Sequence, residues 1–243
     1  MSRRMPWPVL GLAATALLAL AAIGASPYAR YLHHDYQPAS AAGQAGAIVL
    51  FLAGWTLMML AMMLPTATDL LGAVSRLGAD RAAGRRLESL AALGFLGTWL
   101  AVGYTFRAGD VFVHDVIDAT GWLAERPRLV PAFTLLLAGL FQFTALKRRC
   151  LTACRSPLAF LYRHWHGGHP GRDAMTIGAA YGVSCVGCCW ALMLVMFGLG
   201  TASAAWMLGV GAIMAVEKNT AAGPRLSAPV GVLLIVAATW TAL

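Results

Sequence analysis

The sequence predicts an all-α fold, a polytopic bundle of transmembrane helices, and three observations carry that expectation. Hydrophobic residues fill 59% of 243 positions, charged residues only 12%, and the mean hydropathy is +0.69, far from the mix of a soluble globular domain. Several apolar stretches approach or exceed the roughly 18 to 20 residues that a helix needs to cross the hydrocarbon core. Lysine and arginine collect in alternate connecting segments, the pattern of the positive-inside rule.

Seven spans are expected, over residues 8–25, 46–64, 89–106, 129–146, 174–199, 202–216 and 226–243, or six if one of the last two does not cross. The first follows Arg3 and Arg4 and ends in small residues, as a secretory signal would. It is longer than a usual signal core and is read as a retained helix. With a cytoplasmic N-terminus, Arg76, Arg81, Arg85 and Arg86 lie inside, as do Lys147 to Arg172 and Lys218 with Arg225. Arg30, Arg107, Arg126 and Arg128 lie outside. The expected location is a bacterial inner (cytoplasmic) membrane, with the lipid bilayer as the first partner. No loop is long enough for a separate soluble unit, so residues 1–243 are read as one membrane domain. The net charge of +8 reads as topology; no basic run is interleaved with aromatics, which argues against nucleic acid.

The expected outer loops, 26–45 and 107–128, contain His33, His34 and Asp35, and His114 and Asp115. These are most simply solvated loop residues, with capture of a metal ion as their functional alternative. On the inner side His164, His166 and His169 have no cysteine or carboxylate within their cluster and read as a polar loop.

Sulfur carries the chemistry. The second span ends in Met58, Met59, Met62, Met63 and Pro65; methionines four apart share a helix face, where they serve either as packing or as thioether ligands. All five cysteines fall in two groups. Cys150 and Cys154 form a C-x3-C pair on one helix face after Lys147. Cys185, Cys188 and Cys189 lie inside the fifth span, Cys185 about 16 Å from its inner boundary at 1.5 Å per residue. Met193 and, on the sixth span, Met214 extend the soft-ligand set. Gly178, Gly182, Cys185 and Cys189 also make a small-residue ridge suited to close helix packing, although that does not explain why cysteine recurs. Cys188 and Cys189 point about 100° apart on a helix, so both need not be ligands. Glu217, at the inner end of the sixth span, is either an ordinary solvated helix-end carboxylate or, if it faces the bundle, a charge partner for Lys147 or Arg148 and an acceptor for a thiol proton.

Thiolates and thioethers favour Cu(I) over hard cations, and neutral thioethers limit the charge buried in lipid. Zinc stays open, although structural zinc sites mainly staple small soluble folds. The C-x-x-C pair Cys185 and Cys188 admits thiol–disulfide exchange as a rival. No hydrolase triad, P-loop or dinucleotide fingerprint is present, so no catalytic residue is assigned and enzymatic activity is left undecided.

Lys147-x-x-Cys150-Leu151-x-x-Cys154-Arg155-Ser156-Pro157, the run Cys185-x-Gly187-Cys188-Cys189-Trp190 and the terminal Glu217-Lys218 resemble the bacterial predicted metal-binding integral membrane proteins, a family with no assigned activity. Ala61-Met62-Met63-Leu64-Pro65, with Trp55 before it, resembles theirs as well. The resemblance implies metal binding within a membrane bundle; Cu(I) comes from the ligand chemistry. The expected function is binding of a soft metal, foremost Cu(I), in transport, buffering or delivery, with a metallochaperone or metalloenzyme as partner. A membrane thiol–disulfide oxidoreductase and a structural subunit of a larger complex are the alternatives.

Overall fold

Local chemistry sets the helix boundaries in the computed structural model, which describes residues 7–26, 29, 40–198 and 204–243. His33, His34 and Asp35 lie outside the described residues. Helix α1 (Trp7–Gly24) carries no charge. The Ser40 side chain opens α2 (Ala41–Met62) by accepting from the Gly43 amide. Pro65 has no N–H to give to the preceding turn, so the chain restarts as α3 (Leu64–Ser75). Asp80 caps α4 (Arg81–Ala119), accepting from the Ala82 and Ala83 amides at 2.7 and 2.8 Å.

Helix α4 runs well past the outer loop expected from residue 107. Arg107 pairs with Asp110 at 2.9 Å, and the His114 ring meets the Asp110 carbonyl at 2.9 Å. These neighbours three and four residues apart favour helix, and no proline interrupts it before Pro127. After the single turn α5 (Gly121–Ala124), α6 (Leu129–Phe141) meets α7 (Ala145–Arg155) at a bend of 66°. Thr144 makes the corner: its hydroxyl donates to the Phe141 carbonyl at 2.8 Å and accepts from the Lys147 amide at 3.2 Å, ending one helix and capping the next. The stretch expected as a single span over 129–146 is therefore broken. Pro157 and Pro170 start α8 (Pro157–His164) and α9 (Pro170–Gly198), followed by α10 (Ala204–Asn219) and α11 (Gly223–Ala242). No strand occurs among the described residues.

Four helices, α2, α4, α9 and α11, are long and apolar enough to cross a membrane, and the bent α6–α7 pair passes the same test as a broken span. Helix α1 carries a shorter apolar stretch, and α10 has 16 residues. Helix α9 is the most buried of the long helices and α11 the least, so the bundle is organised around α9. Its approach to α4 depends on absent side chains. A Cβ at Gly178 would lie 1.9 Å from the Ala91 carbonyl oxygen, and one at Gly94 would lie 2.1 Å from that of Met175. At Gly182 it would strike Thr98 at 2.9 Å. Large apolar residues such as Leu18, Val49, Phe112, Phe133, Leu233 and Trp240 point outward, a surface that water does not favour.

Candidate metal centre

Three helices bring the sulfur groups together. The bend after α6 turns α7 against α9, and Lys147, Leu151 and Cys154 share its buried face while Cys150 is half-buried at the edge. The Cys154 and Cys188 sulfurs stand 3.9 Å apart across the α7–α9 contact. Tyr181 fixes this register, its hydroxyl donating to the Cys154 carbonyl at 2.6 Å, and Phe160 of α8 packs edge-on against its ring. Gly187 has a specific use here. A Cβ at that position would sit 2.5 Å from the Cys150 sulfur, so the glycine between Cys185 and Cys188 makes the seat on which Cys150 rests.

Cys185, Cys188 and Cys189 are all buried. The Cys188 and Cys189 thiols each donate to the Cys185 carbonyl at 3.0 Å. The pointing apart expected of adjacent helical residues thus still leaves both over one turn of α9. The Cys185 sulfur instead receives the Lys218 ammonium of α10 at 2.8 Å. The same ammonium lies 3.6 Å from the Met63 sulfur and 3.5 Å from the Thr66 hydroxyl. The small-residue ridge is therefore divided: Gly178 and Gly182 seat α4, whereas the Cys185 sulfur meets Lys218 of α10 and the Cys189 thiol turns back to the Cys185 carbonyl.

Met63, Met193 and Met214 are buried in the core that also holds Cys154, Cys185, Cys188 and Cys189. Met62 is half-buried, with its methyl group over Gly211 of α10.

A polar cluster adjoins the thiols. The Lys147 ammonium donates to both Glu217 carboxylate oxygens at 2.8 and 2.9 Å and to the Gln142 side-chain oxygen, and Ser227 donates to Glu217 at 2.8 Å. Arg155 grips the carboxyl end of α10, donating to the Glu217 and Thr220 carbonyls at 2.8 and 2.6 Å, which satisfies groups a helix end leaves open. Sequence reasoning gave Lys147 and Glu217 as charge partners but assigned no role to Lys218, Tyr181, Gln142 or Ser227. The adjacent Glu217 and Lys218 at the end of an apolar helix were the available signal, since buried ions need partners.

Among the described residues, the histidines do not join this centre. His114 turns to Asp110 at the edge of a cavity of about 560 Å3 between α4, α6 and α9, while Asp115 is exposed. His164 stacks on Phe160, and His166 and His169 are exposed. Asp173 ties their loop down by accepting from the His166 and Gly167 amides at 3.2 and 2.7 Å.

Among the described residues no group of three or more His, Cys, Asp or Glu side chains is already arranged to hold a metal ion. The donor chemistry nevertheless fits a soft cation. Metal–thiolate bonds of about 2.3 Å place two sulfurs on one ion about 3.8 to 4.6 Å apart, from tetrahedral to linear geometry, and the Cys154–Cys188 separation falls within that range. Loss of the thiol proton that Cys188 donates to the Cys185 carbonyl is the adjustment required.

Buried thiols and thioethers with a lysine packed among them make a donor set of the kind a soft metal prefers. The comparison with known families is specific on this point: over residues 52–241 the chain matches PpoB2, described as a copper chaperone. The chain belongs to that copper chaperone family. The matched region contains every cysteine and leaves out His33, His34 and Asp35. No curated protein and no solved structure matches the chain.

Proposed function

We propose that this chain is a membrane-embedded copper carrier that holds Cu(I) between α7 and α9 and delivers it to a metalloenzyme or a metallochaperone. The observation that carries this reading is the 3.9 Å approach of Cys154 to Cys188, with Cys185 on the same turn of α9, in a chain of a copper chaperone family. Cys154, Cys185 and Cys188 supply the primary ligands in this proposal, two of them bound to the ion as thiolates at a time. Cys150, Cys189 and Met63 stand next to them, and Met62, Met193 and Met214 line the surrounding core. Cu(I) is the cargo, with zinc as the poorer fit to a mixed thiolate and thioether set.

The same reading places the chain in a bacterial cytoplasmic membrane with its N-terminus inside. It takes α1, α2, α4, the α6–α7 pair, α9, α10 and α11 as seven crossings, and the arginine distribution supports that orientation. His114 and Asp110, at the rim of the cavity toward the proposed outer side, are candidates for first contact with the ion.

The test is copper content after anaerobic, reducing purification of the full chain and Cu(I) loading. Wild type is expected to retain one copper per chain, and Cys154→Ser with Cys188→Ser to lose it. Unchanged stoichiometry in the double variant would refute the site. A second reading also draws on the Cys154–Cys188 approach, because these two thiols face each other across the α7–α9 contact. Closing that bond releases two protons and passes two electrons to a quinone or a disulfide partner. Thiol exchange with such an acceptor, lost in the same double variant and without copper retention, would favour it.

A further inference from the structure

The chain contains only two lysines against sixteen arginines, and both lysines are buried. A lysine used for solubility or topology would face water or headgroups, and here arginine does that work. Lys147 is accounted for by Glu217, Gln142 and the corner of α7. Among the described residues no carboxylate pairs with Lys218: its ammonium meets the sulfurs of Cys185 and Met63 and the Thr66 hydroxyl. Arg155, on α7, directs its guanidinium to the backbone carbonyls of Glu217, Lys218 and Thr220.

We propose that Lys218 is the standing counter-ion of the copper centre, and that its fixed positive charge selects a monovalent over a divalent metal. The inference rests on the Cu(I) reading and adds the source of selectivity. In an apolar interior the cost of a site grows with its net charge. With two of Cys154, Cys185 and Cys188 bound as thiolates and the third a neutral thiol, the two thiolates, one Cu(I) ion and one ammonium sum to zero. Replacing Cu(I) by Zn2+ leaves one uncompensated positive charge, and removing Lys218 from the copper form leaves one uncompensated negative charge. With Lys218 absent, the zinc form becomes the neutral one. Lys147 cannot supply this balance, because Glu217 already takes its charge at 2.8 Å. Lysine also suits the position better than arginine, since a compact ammonium on a flexible stem fits among sulfur atoms where a planar guanidinium would not.

Competition titration of the detergent-purified full chain with Cu(I) and with Zn2+ tests this. Lys218→Met is expected to weaken Cu(I) binding at least about thirtyfold, the lower range for removing one partner of a buried charge pair, and to move the preference toward Zn2+. Lys218→Arg is expected to restore part of the copper preference. If Lys218→Met does not fold, amine acetylation of wild type followed by mass spectrometry gives a second readout. Lys218 is expected to stay protected with and without Cu(I), as Lys147 does. Copper-dependent exposure of Lys218, or tighter Cu(I) binding by Lys218→Met, would mean that the ammonium is displaced by the metal and would overturn the proposal. Wild type that binds no Cu(I) would overturn the copper reading and this inference together. Copper-binding wild type with an unchanged Cu(I)-to-Zn2+ ratio in Lys218→Met would overturn the inference alone.

Discussion

Replacing Lys147 by methionine removes one ion from the best-defined buried ion pair in the bundle. The Lys147 side chain is fully buried and that of Glu217 nearly so, and the pair spans α7 and α10 at 2.8 Å. In Lys147→Met the Glu217 carboxylate keeps only Ser227 from this cluster. Breaking a buried pair in this way costs about 3–5 kcal/mol, and placing one uncompensated charge within a helix in lipid costs about 2.5–3.5 kcal/mol on insertion scales. With about 2–4 °C of Tm per kcal/mol for a chain of this size, the expected fall is about 6–20 °C. Replacing both residues by methionine removes the charges together, so the double variant should recover most of that loss. Thermal unfolding of the four proteins of this cycle in one detergent measures the coupling. A Lys147→Met protein within about 2 °C of wild type, a shift below that from 1 kcal/mol, or a double variant as unstable as the two singles combined, would refute the role assigned to the pair.

Gly178→Val should abolish accumulation of folded protein in the membrane fraction, because even a Cβ there would lie 1.9 Å from the Ala91 carbonyl oxygen and backbone cannot yield as a side chain can. Gly187→Ala should leave the bundle folded but drive the Cys150 sulfur, 2.5 Å from the added Cβ, off α9; faster maleimide labelling of Cys150 is the check. Tyr181→Phe loses the hydrogen bond to the Cys154 carbonyl, worth about 1 kcal/mol, and should lower Tm by about 2–4 °C. Asp173→Ala frees the His166 and Gly167 amides and should speed proteolysis between α8 and α9.

Apolar runs made the helices legible, since the segment expected over 174–199 lies almost wholly within α9 and that over 89–106 lies inside α4. Two features were not legible. The corner at Thr144 carries neither proline nor glycine and is set by a hydroxyl that caps in both directions, whereas hydropathy sees only one continuous apolar run. The extension of α4 through His114 reads as a polar loop by composition, but pairing of Arg107 with Asp110 on one face favours helix. For the centre, spacing gave the shared faces of Cys150 with Cys154 and of Cys185 with Cys189. It could not give the approach of Cys154 to Cys188, which depends on the 66° turn of α7. Nor could it separate the roles of the neighbouring Glu217 and Lys218, because about 100° of helix rotation sends one toward Lys147 and the other toward Cys185.

Copper X-ray absorption of the anaerobically loaded full chain, beside the Cys154→Ser/Cys188→Ser variant, tests the central claim most directly. The account predicts Cu(I) in a first shell made of sulfur alone in wild type, and loss of that signal in the variant. A first shell of nitrogen and oxygen, or a sulfur shell that survives both substitutions, would contradict it.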